Sequence, residues 1–351
     1  MKKDLRSMSL EEIKELMIEL NEPAFRAKQL FEWVHKKGIE SIEDISNFSK
    51  ELKEKIAQNA KITCLNLKTK QVSEDGTIKY LFALEDNNYI ECVLMRYRGT
   101  KSKKRNTLCV SSQVGCAMGC GFCATGLGGF KRNLTAGEIL SQIYTVNNYL
   151  KIENDDLMVG NIVYMGMGEP LLNFENVLKS IRLLNELLGQ NISIRRITIS
   201  TCGIVPKIVD LADLNLDIVL AVSLHAPTDQ LRSQIMPVNQ QYPLKVLKEA
   251  CIYYVKKTRR RLTFEYALVN NFNDTKEHAY VLADYLKDIF SHINLIPVNP
   301  TVTEKFQRPQ RVKIQDFLEV LTSSGIEASI REERGTDIAA ACGQLRGKVV
   351  E

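Results

Sequence analysis

Long hydrophobic runs, low-complexity tracts and a strong excess of either charge are all missing from this sequence of 351 residues. Nowhere do eighteen apolar residues follow one another, as a membrane-spanning helix requires, and the first twenty residues lack the apolar core of a secretory signal. The 47 basic and 42 acidic residues leave a formal charge of only +5, which by itself indicates no nucleic-acid partner. We therefore expect a cytoplasmic protein without a membrane span, long enough for two or three domains.

A fourth cysteine is missing from the densest cysteine cluster. "GCAMGCGFC" places Cys116, Cys120 and Cys123 within eight residues of a glycine-rich loop, and the next cysteine along the chain is Cys202. A structural zinc site needs a fourth Cys or His, and the usual four-cysteine iron–sulfur motifs end in a fourth cysteine. Three structural cysteines this close together do not build a core. The remaining interpretation is a [4Fe–4S] cluster with three protein ligands and one open iron.

Local patterns divide the chain into four parts. Residues 1–60 read as three helices, the first behind the capping box Ser9 to Glu12 and the third within "SIEDISNFSKELKEKIAQ". Residues 61–108 contain short strand-like runs, and "TIKYLFAL" and "YIECVLMRY" around "EDNN" predict a hairpin. Strand-like and helical runs alternate in residues 109–300, and residues 301–351 add a helix, a strand and a tail. We predict an N-terminal helical accessory domain, a short β extension, a core and a C-terminal tail.

The alternation in the core predicts an α/β fold. Six apolar runs are separated by amphipathic helical segments: "TLCVSS", "NIVYMGMG", "RRITIST", "DIVLAVSLH", "RLTFEYALV" and "HINLIPVNP". This alternation of strands and helices indicates a parallel sheet with right-handed crossovers, and six units make a partial (β/α)6 relative of the eightfold barrel. In such barrels the chemistry gathers at the C-terminal ends of the strands. The sequence places polar or glycine-rich turns there: Gly166–Pro170, Ser200–Gly203, Ser223–Pro227 and Asn299–Pro300.

The cysteine spacing resembles the signature of the radical S-adenosylmethionine (SAM) superfamily, and Phe122 before the last cysteine fits that pattern. The resemblance implies a partial (β/α)6 radical SAM barrel in which Cys116, Cys120 and Cys123 hold a [4Fe–4S] cluster. The amino and carboxylate groups of SAM then occupy the open iron. "GMGEP" resembles the superfamily turn that holds the SAM amino group, with Glu169 as the hydrogen-bond acceptor.

Longer strings resemble one family within that superfamily. "TLCVSSQVGCAMGCGFCATG", "MGMGEPLLN", "SLHAP", "INLIPVNP" and "RGTDIAAACGQL" are similar to the RlmN family of RNA (adenine-C2) methyltransferases. That family methylates C2 of adenine 2503 in 23S ribosomal RNA and of adenine 37 in certain transfer RNAs. The sister Cfr family methylates C8 of the same ribosomal adenine and is the alternative. The tail and the proline of "GEPLLN" favour the C2 enzymes.

The resemblance also assigns residues to roles that their local sequence does not suggest. Cys342 matches the cysteine that receives a methyl group, Cys109 its resolving partner, and Glu91 the proposed base. Cys109 and Cys342 would then form a disulfide in each turnover. By local sequence alone, these cysteines would be core or tail residues and Glu91 a solvent-facing strand residue. The residues matched to SAM binding are Gly168, Glu169, Ser200, Ser223, Leu224, His225 and Asn299.

The expected partners follow from the same resemblance. They are 23S ribosomal RNA and transfer RNA, with an electron donor of the flavodoxin or ferredoxin type, and we expect a monomer. The target base must leave its stack to reach a buried site, and the basic runs Lys101–Arg105 and Lys256–Arg261 are candidates for phosphate contacts. A non-catalytic iron–sulfur protein that binds RNA is the alternative from another class, and it would have no use for two distant thiols.

Overall fold

The structure is a computed structural model and describes residues 2–99, 103–299 and 306–347. Its N-terminal part has the following elements: β1 (Lys3–Asp4), α1 (Leu10–Glu19), α2 (Phe25–Phe31), α3 (Lys50–Asn59) and β2 (Ala60–Lys61). The capping box is present, because the Glu12 N–H donates to the Ser9 hydroxyl and the Ser9 N–H donates to the Glu12 carboxylate. The third helix begins later than its pattern indicated. Residues Ile42–Asp44 form a separate 3-10 turn, and the helix starts only after the N-cap residue Ser49.

The predicted hairpin forms part of a four-stranded antiparallel region. Its strands are β3 (Asn66–Val72), β4 (Ile78–Ala83), β5 (Tyr89–Tyr97) and β6 (Arg105–Cys109). Strands β4 and β5 pair from Ile78 opposite Leu94 to Ala83 opposite Tyr89, which confirms the hairpin. All six residues of β4 are buried, so this strand belongs to the core.

The remaining chain alternates strands and helices. In chain order the elements are β7 (Gln113–Gly115), α4 (Ala124–Leu127), β8 (Phe130–Asn133), α5 (Ala136–Ile152), β9 (Val159–Tyr164), α6 (Phe174–Asn185), β10 (Ile197–Thr201), α7 (Val205–Asp213), β11 (Val219–Ser223), α8 (Asp229–Ile235), α9 (Leu244–Thr258), β12 (Leu262–Leu268), α10 (Lys276–Leu286), β13 (Ser291–Pro297), α11 (Arg311–Ser323) and β14 (Ala328–Ile330). The helices turn one apolar stripe inward: α6, for example, buries Val177, Ile181 and Leu184 at helical spacing.

One ten-stranded sheet contains both the barrel and its extension. Its order is β14-β13-β12-β11-β10-β9-β6-β5-β4-β3. The six central strands, β6 and β9 to β13, are parallel and adjacent in chain order, as the partial (β/α)6 barrel predicts. Because these strands all point the same way, their C-terminal ends form one edge of the sheet, which we call the C-terminal edge. The division of the chain at residues 60, 108 and 300 stays a prediction.

The N-terminal part is fixed to α5 by buried polar groups. The Arg6 side chain is fully buried and donates to the Ser141 hydroxyl at 2.7 Å and to the Ile39 carbonyl at 2.9 Å. At Gly137 a Cβ atom would lie 1.9 Å from the Asp4 carboxylate, so only glycine allows this close approach. Within the described residues, no helix is both long enough and apolar enough to cross a membrane.

Candidate active site

Two adjoining cavities open at the C-terminal edge. The first, which we call the strand-end cavity, contains most of the predicted ligands in its lining: Cys116, Cys120, Cys123, Gly168, Glu169, Ser200, Ser223, His225 and Asn299. The second, the thiol cavity, is lined by Cys109, Arg331 and Cys342 among others. Asn299, Arg331 and Cys342 line both cavities, so the two spaces meet at these residues.

The three-cysteine loop is shaped by the short antiparallel pair β7 and β8. Gly115 ends β7 with φ of +75°, and a Cβ atom there would lie 1.8 Å from the Gly129 carbonyl oxygen. The Cys116 N–H donates to that same oxygen at 2.9 Å. The loop therefore closes tightly at its base because residue 115 is glycine. The Cys123 N–H donates to the Cys120 carbonyl at 3.1 Å and closes the last turn before α4.

The donor set of this loop fits a cluster with three thiolate ligands. Burial raises the pKa of Cys116 to about 11 and also raises the pKa of Cys120, so both thiols hold their protons at neutral pH until a metal displaces them. Among the residues that the structure describes, no three His, Cys, Asp or Glu side chains are grouped as a single metal ion requires. A [4Fe–4S] cluster makes a different demand, since each cysteine binds a separate iron of the cube.

Glu169 lies at the end of β9 with its carboxylate fixed in the strand-end cavity. The side chain is 4% exposed, and the N–H groups of Leu171 and Cys202 donate to its two oxygens at 3.0 and 2.8 Å. Burial raises the pKa of Glu169, and these N–H donors oppose the rise. The preceding Gly168 has φ of +102°, and a Cβ atom there would lie 2.5 Å from the Gln113 side chain. The turn therefore needs glycine and presents a preformed acceptor for an ammonium group.

His225 is fixed as a neutral ring. Its Nδ1 atom accepts the Ala267 N–H at 2.9 Å, so the proton of the neutral ring is on Nε2. Burial, with the nearby Arg232 charge, lowers the pKa of His225 to about 3. The ring packs edge-on against Phe122, the residue before Cys123, with 4.8 Å between ring centroids. The histidine therefore links the cysteine loop to the end of β11.

Asn299 carries an unused buried acceptor. Its Oδ1 atom is buried without a hydrogen-bond partner, and the residue lines both cavities. Buried polar atoms are nearly always hydrogen-bonded, so this atom is suited to a ligand. Of the seven residues matched to SAM binding, only Leu224 is outside the lining of the strand-end cavity. Leu224 is fully buried, and its N–H donates to the Glu265 carbonyl.

Cys109 and Cys342 line the same cavity, although they are 233 positions apart in the sequence. Burial raises the pKa of Cys109 to about 12, and the sulfur of Cys342 adds to that rise. Both thiols are free, and Cys342 is exposed. Arg331 lines this cavity with both cysteines, and its pKa is raised, mainly by Cys342 and in part by Cys109. Arg331 also pairs with Glu265 at 3.4 Å.

Glu91 lines neither the strand-end cavity nor the thiol cavity. Its buried carboxylate instead accepts the N–H groups of Arg346 and Gly347 at 2.6 and 2.9 Å and lies 3.5 Å from the Lys79 ammonium. The structure therefore places the expected base against the C-terminal tail.

The basic runs lie away from the cavities. Lys256–Arg261 joins the end of α9 to the start of β12, which is the opposite edge of the sheet. Three of its cations pair with acids: Lys257 with Asp213, Arg260 with Asp217 and Arg261 with Glu327. In the run Lys101–Arg105, residues 101 and 102 lie outside the described residues, and Arg105 begins β6 at that same opposite edge. Pro300 of the strand-end turn also lies outside them.

Sequence reasoning missed three side chains that lie in the site or support its residues. Arg331 follows β14, Lys79 lies within β4, and Gln113 accepts the Glu169 N–H at 2.9 Å. Of these three, only Gln113 could have been suspected from the sequence, because "SSQVG" places it next to the cysteine loop. Nothing local distinguishes Arg331 or Lys79 from other strand-associated cations.

Comparisons with known proteins agree with this geometry. Residues 3–62 match the family model of the ribosomal RNA large subunit methyltransferase N-terminal domain, and residues 110–283 match the radical SAM superfamily. The chain is 46% identical to a probable dual-specificity RNA methyltransferase RlmN of Thermoanaerobacter sp. strain X514, over 99% of both chains. It is 47% identical to one of the same name from Desulfitobacterium hafniense strain Y51, over 98% of this chain and 96% of the other.

A solved structure gives the same result. The crystal structure of a radical SAM methyltransferase from Sphaerobacter thermophilus superimposes with a TM-score of 0.94 and 42% identity, covering 99% of this chain and 100% of that one. The chain therefore belongs to the RlmN family of RNA methyltransferases in the radical SAM superfamily, whose cofactors are a [4Fe–4S] cluster and SAM.

Proposed function

We propose that this enzyme methylates C2 of adenine 2503 in 23S ribosomal RNA and C2 of adenine 37 in transfer RNAs, by way of a methyl group carried on Cys342. The observation that carries the proposal is the position of Cys342 where the two cavities meet. From there one residue borders both the strand-end cavity and the thiol cavity that Cys109 lines. The names of the relatives, which are dual-specificity RNA methyltransferases, support the two RNA substrates.

The chemistry at C2 explains why such a site is needed. This carbon lies between two ring nitrogens and has neither a lone pair nor an acidic proton, so simple nucleophilic methylation fails there. When bound, the cluster and SAM supply a methyl group and a carbon radical that abstracts a hydrogen atom. Cys116, Cys120 and Cys123 would hold the cluster. The SAM amino group would be held by the Gly168–Glu169 turn, and the rest of SAM by Ser200, Ser223, His225 and Asn299.

The protein's own thiols carry the transfer. Cys342 accepts the methyl group, loses one hydrogen atom from it and adds through that carbon to C2, which joins protein and RNA. The adduct then gives up its unpaired electron, which the oxidised cluster would accept, and its C2 proton, for which Glu91 is the proposed base. The Cys109 thiolate then attacks the Cys342 sulfur, so that an S–S bond forms and the S–C bond breaks. The electron pair of the broken bond stays with the carbon, which takes a proton and becomes the new methyl group. An external dithiol reduces the disulfide.

The partners follow from this scheme. The adenine must be presented in a loop or flipped out of its stack, because the cavities lie among buried strand ends. An electron donor of the flavodoxin or ferredoxin type would reduce the cluster. We also propose that the enzyme is a monomer and acts in the cytoplasm, where both RNAs are found.

Product analysis tests the proposal. The cluster-loaded enzyme is incubated anaerobically with a 23S ribosomal RNA fragment or with transfer RNA and methyl-labelled SAM, and the digested nucleosides are separated by mass spectrometry. We expect labelled 2-methyladenosine from both RNAs. Labelled 8-methyladenosine as the sole product would overturn the assignment in favour of the Cfr-type reaction.

A further inference from the structure

The tail segment, residues 335–347, is tied down ahead of Cys342. The Gly335 N–H donates to the Asp75 carboxylate at 2.9 Å. Two residues later, the Asp337 carboxylate accepts the Ser73 hydroxyl at 2.6 Å. Both contacts go to the turn between β3 and β4, so the start of the tail segment is anchored on the β extension.

The same segment is tied down again after Cys342. The Leu345 carbonyl accepts the Thr125 hydroxyl at 2.7 Å. The next two N–H groups, of Arg346 and Gly347, both donate to one oxygen of Glu91. Hydrogen bonds from two N–H groups to one buried carboxylate oxygen are charge-assisted and therefore strong.

Lys79 connects the two anchored parts. Its ammonium donates to the Ala339 carbonyl at 3.2 Å and lies 3.5 Å from the other oxygen of Glu91. The side chains of Lys79 and Glu91 are only 7% and 6% exposed, so water screens their attraction little. Ala339 has φ of +50°, a conformation that residues other than glycine rarely adopt. Its carbonyl is therefore held in a direction that the backbone alone would disfavour.

We propose that Lys79 and Glu91 are positioning residues that hold the tail segment so that the Cys342 sulfur faces Cys109. The inference rests on the proposed function, which gives those two thiols their roles. Holding one thiol beside another replaces a search by a flexible tail with a nearly fixed approach, which raises the effective concentration of the reacting pair. It also gives Glu91 a task in the RNA-free enzyme that is separate from taking a proton from RNA.

Disulfide formation in the absence of RNA isolates this task. The experiment uses anaerobic, cluster-loaded protein whose Cys342 is shown by mass spectrometry to be unmethylated. Diamide takes two electrons and two protons from Cys109 and Cys342, and the linked peptides are quantified over time. We expect Glu91→Gln and Lys79→Met each to slow this disulfide by about tenfold, and Lys79→Arg to stay within about threefold of the wild-type rate. A glutamate that served only as a base toward RNA would leave the rate unchanged.

Controls separate positioning from general damage. Lys70→Met removes a lysine from the neighbouring β3 whose ammonium pairs with Glu153, and this variant should react at the wild-type rate. Iron content and melting temperature are measured for every variant. Loss of one partner leaves a buried charge, so the double variant Lys79→Met/Glu91→Gln, which removes both charges, is included in case a single variant does not fold.

The outcomes divide cleanly. Wild-type protein that forms no Cys109–Cys342 disulfide contradicts the thiol roles of the proposed function. Wild-type protein that forms it at the same rate as folded Glu91→Gln and Lys79→Met variants overturns the positioning role and leaves the proposed function standing. Slow disulfide formation in these variants, with rescue by Lys79→Arg, supports the inference.

Discussion

At the scale of single residues, the two thiols of the site differ in how ready they are to react. Cys109 is buried, and burial raises its pKa to about 12, so it is protonated at neutral pH. The thiolate is the nucleophile in exchange reactions, so the raised pKa makes this cysteine a slow nucleophile. The positive charge of Arg331 acts in the opposite direction and offsets part of this rise in the Cys109 pKa. In the proposed function, the raised pKa would slow attack by Cys109 before Cys342 is bonded to RNA.

Removing either thiol should therefore stop the reaction at different stages. With Cys109→Ala, the bond between Cys342 and RNA forms but nothing resolves it, so a covalent RNA–protein adduct accumulates on a denaturing gel with labelled RNA. Cys342→Ala should give neither adduct nor methylated RNA. Cys251→Ala is the matched control, because Cys251 is fully buried within α9 and lines neither cavity. Release of methylated RNA by Cys342→Ala would contradict the roles assigned to both thiols.

At the scale of elements, the short β7–β8 pair decides the shape of the cluster loop. Its closure depends on Gly115, where φ is +75° and a Cβ atom would lie 1.8 Å from a backbone oxygen. A contact this short to backbone cannot be relieved by rotating a side chain, so the strands would have to separate. Gly129 across the pair has φ of +68°, but a Cβ atom there meets no atom within 4 Å. Glycine is therefore required sterically at position 115, whereas at position 129 only the backbone conformation favours it.

Alanine at these positions should have unequal effects on cluster binding. Gly115→Ala forces the base of the loop open and should lower the iron bound per chain by more than about half after anaerobic reconstitution. Gly129→Ala incurs only the left-handed conformational cost of about 1 kcal/mol and should bind nearly the wild-type amount. Iron and sulfide assays with the visible absorption of the cluster measure both. Equal iron contents in the two variants would show that closure of the loop does not depend on residue 115.

The sequence predicted those elements whose signals are local. The capping box at Ser9 is present, since the Glu12 N–H donates to the Ser9 hydroxyl and the Glu12 carboxylate accepts the Ser9 N–H in return. The alternation of strands and helices likewise predicted the parallel strands β6 and β9 to β13. The contacts of Lys79 and Glu91 with the tail segment join positions more than 250 residues apart and leave no local pattern. The third helix was placed too early because a 3-10 turn shares the helical spacing.

At the scale of the whole molecule, the direction of the strands decides which surface can meet RNA. The cavities open at the C-terminal edge, whereas Lys256–Arg261 precedes β12 at the opposite edge. The seven residues of β12 separate these edges by about 20 Å, since each strand residue advances about 3.3 Å. A run of basic residues in the sequence shows that cations are present but does not show on which edge of the sheet they lie. Lys131 and Arg346 lie near the cavities instead, in a surface notch with Asn87 and Tyr89.

Substitution of one lysine on each edge should reveal which one RNA contacts. Lys131→Ala removes an exposed cation beside the cluster loop and should raise the KM for RNA several-fold at low salt. It should also reduce the slope of log affinity against log salt by about 0.7 to 0.9, the value for one lost phosphate contact. Lys257→Ala, the matched control on the far edge, should change neither quantity, because its ammonium already pairs with Asp213. If Lys257→Ala weakens RNA binding as much as Lys131→Ala does, the RNA extends around the sheet to the opposite edge, and the C-terminal edge alone does not define the interface.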